Sequence, residues 1–130
     1  MKDYSELEVW RRAHELNRWV FAFVDSYPGL ACYGLASQMQ RESTAIASNI
    51  ARGCGGSGNQ GAERWYFNNA MGAAAALDYL MRLGFELDLV PPGCAKRFLE
   101  MKVGIEERLR AMLEEKETEK RVPASLTLVQ

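Results

Sequence analysis

Between Tyr33 and Gly53 two kinds of side chain alternate at helical spacing, and nothing else in the chain constrains the fold as strongly. Leu35, Met39, Ile46 and Ile50 recur at three- and four-residue steps once Ser43 fills the missing turn, which places them on one face of an α-helix. Gln38, Arg41, Ala45, Asn49 and Arg52 recur at the same steps on a second face. The narrow apolar face needs cover from its own chain. The second face, polar and studded with small residues, is open to water or to another molecule.

The same period runs through the rest of the sequence. From Asp3 to Tyr27, the residues Leu7, Trp10, Ala13, Leu16, Val20 and Val24 form an apolar stripe, and Ser5 and Glu8 have capping-box spacing. Trp19, Phe21 and Phe23 add apolar surface beside the stripe and predict burial on two sides; Pro28-Gly29 ends the helix. A third helix is predicted from Ala62 to Leu87, with Tyr66, Ala70, Ala73, Leu77 and Leu80 on one face and Phe67, Ala74 and Met81 beside it. The run Ala73 to Ala76 favours helix and lets a neighbour approach closely. After Pro91-Pro92-Gly93, a fourth stripe runs through Cys94, Phe98, Met101, Ile105, Leu109 and Met112.

Four such helices with short breaks and no alternating strand pattern predict an all-α, antiparallel, up-and-down four-helix bundle. Its expected extent is residues 1–117, with residues 118–130 a charged, flexible C-terminal tail whose Leu126, Leu128 and Val129 have the character to dock on a partner. A length of 130 residues with 48% hydrophobic and 25% charged side chains suits one globular domain. The N-terminus lacks an apolar signal core and no apolar run is long enough for a bilayer, so the expected location is the cytoplasm, with no membrane contact.

Motif by motif, the chemistry of an enzyme fails to assemble. Gly53, Gly55 and Gly58 spell Gly-x-Gly-x-x-Gly, but a dinucleotide site needs a strand before the first glycine and here a helical segment precedes it. His14 is the single histidine, which removes histidine-based triads and metal clusters; it is expected on a helix surface. Cys32, Cys54 and Cys94 are odd in number and widely spaced, so neither a disulfide nor a zinc site is expected. Most of the carboxylates fall in mixed-sign runs that suit a solvated face. No cofactor is expected, and the chain reads as non-enzymatic.

Arginines beside aromatic residues point elsewhere. Sixteen basic and seventeen acidic side chains leave a net charge of -1, so any attraction for nucleic acid must be local. Arg11 and Arg12 follow Trp10, Arg18 precedes Trp19, and Arg64 precedes Trp65-Tyr66. Such pairs suit phosphate contact with base stacking; equally, the aromatics belong to the core and the arginines to surface ion pairs. The stripe of Gln38, Arg41, Ala45, Asn49 and Arg52 likewise has two readings, a solvated face or a subunit interface.

Several of these residues resemble a known family. The order Leu7-x-x-Trp10-x-x-Ala13-x-x-Leu16, Tyr33-Gly34-Leu35-x-x-Gln38-x-x-Arg41, Ser48-Asn49-Ile50-Ala51-x-Gly53 and Ala70-x-Gly72 is similar to four-helix bundle proteins, some of them encoded in intervening sequences of bacterial large-subunit ribosomal RNA genes. The resemblance covers about residues 3 to 115 and implies an antiparallel bundle assembled as a homopentameric ring. A related branch, the accessory variability proteins of diversity-generating retroelements, binds reverse transcriptase and nucleic acid. The chain departs from the family with Arg52 in place of a glutamate, Gly56 in place of an arginine, and Ala73 and Ala76 near a serine and a glutamate. These changes remove polar groups that the family places around its interface.

The resulting expectation is a homo-oligomeric helical scaffold that binds RNA, DNA or a nucleic-acid-handling protein such as a reverse transcriptase. Arg11, Arg12, Arg18, Arg41 and Arg52 are the candidate binding residues, and Gln38, Arg41, Ala45, Asn49 and Arg52 the candidate subunit interface. The alternative is a structural or protein-interaction bundle without nucleic-acid binding.

Overall fold

A computed structural model describes residues 3–55 and 59–129, with side chains as far as Glu115 and excepting Gln60. The elements are a 3-10 turn at Tyr4–Glu6, α1 (Glu8–Ser26), a single helical turn α2 (Gly29–Cys32), α3 (Leu35–Cys54), α4 (Gln60–Glu86) and α5 (Pro92–Val129). Helices α1, α3, α4 and α5 form the bundle, and no strand occurs among the described residues. α3 packs against both α1 and α4, α4 against α5, and α5 returns to α1, which closes an antiparallel four-helix ring around one core. The fold is the all-α bundle that the periodicity predicts.

Each apolar stripe faces inward. Leu16, Val20, Met39, Ile46, Ile50, Ala74, Leu77 and Leu109 are fully buried, and Phe67, Phe98 and Ile105 nearly so. Ser43 does sit inside the stripe of α3, at 0% exposure. Its hydroxyl donates to Asn17 Oδ1 at 2.7 Å, and Thr44 Oγ1 donates to the same oxygen at 3.1 Å. A buried hydroxyl is tolerated because it is bonded, and the bond ties α3 to α1.

Helix boundaries differ from expectation in informative ways. Ser5 and Glu8 do not form a capping box: Asp3 accepts the Ser5 amide at 3.0 Å, and α1 starts only after extended Leu7. The Ser5 amide is the larger cause holding the Asp3 carboxyl below its usual range. Gly34, at φ +73, turns the chain from α2 into α3 in a left-handed conformation that glycine adopts freely. α4 begins two residues earlier than expected because Asn59 Oδ1 accepts the amides of Gly61 at 2.9 Å and Ala62 at 3.2 Å. Pro92 is the first residue of α5.

α1 is not buried on two sides: Phe23 is in the core and Trp19 half-buried, but Phe21 is 46% exposed, because α1 packs mainly against α3 and α5. The backbone of α5 continues as helix to Val129. The expected boundary between residues 117 and 118, and the tail side chains Leu126, Leu128 and Val129, fall outside the described side chains, as do Gly56 and Gly58 of the glycine loop.

Candidate nucleic-acid interface

Three of the five candidate arginines share one surface. Arg11 and Arg18 lie seven residues apart on α1, about two turns and roughly 10 Å along the axis, with His14 between them. A shallow depression of about 410 Å³ is lined by Arg11, His14, Glu15, Arg18 and Trp19 of α1 and by Arg97 and Met101 of α5. A neighbouring depression of about 530 Å³ continues along the same two helices past Glu8, Arg12 and Glu100, again with Arg11 and Arg97.

The guanidinium groups are held to different degrees. Arg11 Nε donates to the Ser5 carbonyl at 3.1 Å. Arg12 donates from Nε and Nη2 to Glu8 Oε1, at 3.2 and 3.1 Å, and Arg108 Nη2 of α5 reaches the same oxygen at 3.1 Å. Arg12 therefore belongs to an ion-paired clasp between the first and last helices. Arg97 approaches Glu100 at 3.8 Å, with both side chains about half exposed. Arg18 is exposed. The 410 Å³ depression thus carries three arginines against the single carboxylate Glu15, whereas its neighbour is balanced in charge.

Two aromatic columns end at this surface. Tyr4 meets Trp10 edge-on, with centroids 5.0 Å apart, and Trp10 stacks on His14 at 4.8 Å with planes 9° apart. Trp19 stacks on Phe23 at 5.1 Å with planes 1° apart, and Phe23 in turn meets Tyr27. Both ends of the first column, Tyr4 and His14, are exposed, and His14 is the one that lines the depression.

The candidate interface stripe of α3 does not present one uniform face. Gln38, Arg41 and Arg52 are exposed and Ala45 is half-buried, but Asn49 is drawn inward to 9% exposure. Its side-chain amide donates to the Ala45 carbonyl at 2.9 Å, so it serves its own helix. Gln38 Nε2 similarly donates to the Gly34 carbonyl at 3.3 Å. Arg41 and Arg52 stand eleven residues apart, roughly 16 Å along the axis, and neither lines the depressions that hold the α1 arginines. Arg52 instead lines a cavity of about 410 Å³ at the α3–α4 junction with Gly53, Asn59, Glu63 and Tyr66.

Arg97 escaped the sequence reading. Its neighbour Lys96 was the only local hint of a basic site, and which flank of α5 would lie against Arg11 and Arg18 depends on the rotation of packed helices. A second surface also went unread: an apolar groove of about 410 Å³ between α4 and α5, where Phe85 and Leu99 remain 46% and 41% exposed.

Among the described residues no group of three or more His, Cys, Asp or Glu side chains is gathered for a metal, and no helix is long and apolar enough to cross a membrane. A search of the curated proteins found no match. The family model of the 23S rRNA-intervening sequence protein matches residues 5–113. That span takes in α1, α3, α4 and the part of α5 that completes the core, and the chain belongs to the 23S rRNA-intervening sequence protein family.

Proposed function

We propose that this protein is a non-enzymatic, homo-oligomeric scaffold of the cytoplasm that binds nucleic acid. The observation that carries the reading is the gathering of Arg11, Arg18 and Arg97 from two helices onto one surface of a chain with net charge -1. Arginines concentrated in this way release counterions from phosphates even where the overall charge is unfavourable. The name of the family, which refers to ribosomal RNA, agrees with RNA as the partner. The assembly is a pentamer, in which each copy repeats the patch and the several copies reinforce one another. The exposed Gln38, Arg41 and Arg52 of α3, beside half-buried Ala45, supply the face between copies. The protein partner is a nucleic-acid-handling enzyme such as a reverse transcriptase.

Light scattering after size exclusion tests the assembly: a mass five times 14.6 kDa supports it, and a monomer overturns it. Gel shifts over a salt series test the binding, which should weaken steeply as salt rises. Absence of a shift even at low salt favours the second reading, a protein-interaction bundle. The apolar α4–α5 groove, with its exposed Phe85 and Leu99, is the feature that speaks for that second reading.

A further inference from the structure

The α1 surface carries more than charge. His14 closes the column Tyr4–Trp10–His14, lies flat on Trp10, and is exposed. One turn before it stands Arg11 and one turn after it Arg18, and across the same depression lies Arg97. Trp19, the end of the second column, lines the depression as well.

We infer that this surface is built for unpaired nucleotides: a base lies on His14 and extends the Trp10–His14 stack, while Arg11 and Arg18 take the flanking phosphates. This rests on the proposal of nucleic-acid binding and narrows it to single strands. The reason is one of access. A ring face flanked by cations is of use only to a base whose own face is uncovered, and in a duplex each base is covered by its neighbours above and below. Aromatic stacking is also tolerant of sequence, because every base presents a π-face. Glu15 sits in the same depression and opposes phosphate, and Glu100 pairs with Arg97 at 3.8 Å, which leaves one net positive charge from the three arginines. So small an excess of charge suits a short strand held partly by stacking better than a duplex held by charge alone.

The test uses the full chain and four end-labelled 20-nucleotide probes of one sequence: single-stranded RNA, single-stranded DNA and the two corresponding duplexes. Fluorescence anisotropy at low salt reads affinity, and intrinsic tryptophan emission reports whether the indoles at this surface, Trp10 and Trp19, sense the bound base. Both single strands should bind at least on the order of tenfold more tightly than the duplexes, with tryptophan quenching. His14→Ala should weaken single-strand binding on the order of tenfold and leave the salt slope unchanged, while His14→Phe, which keeps a ring face, restores it. His14 is exposed, so neither variant threatens the core. Duplexes binding as tightly as single strands, or His14→Ala binding like the parent, overturns the inference and leaves nucleic-acid binding standing. No binding of any probe overturns both.

Discussion

Gly53 lies directly beneath the ring of Phe67, so close that a β-carbon on it would stand 2.6 Å from Cε1 and 2.9 Å from Cδ1. Here α3 and α4 approach each other near their shared connection, and Phe67 is 1% exposed. The ring has no flexible end with which to withdraw, so any side chain at Gly53 must displace packed structure.

Gly53→Ala should therefore destabilise the fold by about 1–3 kcal/mol, although alanine is the better helix former by about 1 kcal/mol. Gly72, in the middle of α4, meets no atom within 4 Å of such a carbon and is exposed. Gly72→Ala should instead stabilise by about 0.5–1 kcal/mol. Thermal unfolding of both variants checks the opposite signs, and a stable Gly53→Ala protein would contradict the close approach.

Lys102 of α5 holds two carboxylates together in a partly buried setting. Its ammonium lies 3.5 Å from Asp78 Oδ1 and 3.3 Å from Glu106 Oε1, and it is 13% exposed. Asp78 Oδ1 accepts no hydrogen bond, so the lysine charge is what offsets its burial there, while Arg82 Nε donates to Oδ2 at 2.8 Å. Lys102→Met should cost about 1–3 kcal/mol in chemical denaturation at neutral pH, because the two carboxylates lose the ammonium between them and Asp78 keeps only Arg82. Adding Glu106→Gln should recover part of the loss, and strictly additive effects would show that the pair is not coupled.

Tyr27 and Cys94 join the end of α1 to the start of α5, the thiol lying 3.8 Å from the phenol oxygen. The Cys94 hydrogen bond, and secondly the negative charge of its thiolate at high pH, hold the Tyr27 phenol above its ordinary value of 10.0. A raised value in the folded state means that this contribution to stability is fully present below pH 10 and is lost as pH rises through the folded value. Cys94→Ala should move the tyrosinate absorbance of Tyr27 to lower pH and remove the contribution to stability that is present below pH 10.

Arg18 and Arg97 should each contribute to the salt dependence of nucleic-acid binding. Arg18→Ala or Arg97→Ala should flatten the slope of log K against log salt by about 0.7 for a single-stranded probe. Arg12→Ala should change it less, because Arg12 is already committed to Glu8. No effect of Arg97→Ala beside a full effect of Arg18→Ala would place the contact along α1 alone rather than between α1 and α5.

Four helices, their approximate limits and their inward faces were legible in the residue order, because burial imposes its own period on a helix that must hide one side. Even Ser43 could be placed in the apolar stripe of α3 by counting, though its partner Asn17, twenty-six residues earlier, could not. The caps were less legible: Asp3 accepts the amide of Ser5, which was itself the expected cap, and Asn59 accepts those of Gly61 and Ala62, since competing polar side chains a few residues apart are decided by local geometry. Only the packed bundle could bring Arg97 beside Arg11 and Arg18, or turn Asn49 inward while Arg52 stayed out. Spacing along a helix follows from the covalent chain, but which flank meets which neighbour follows from how side chains interlock across the core.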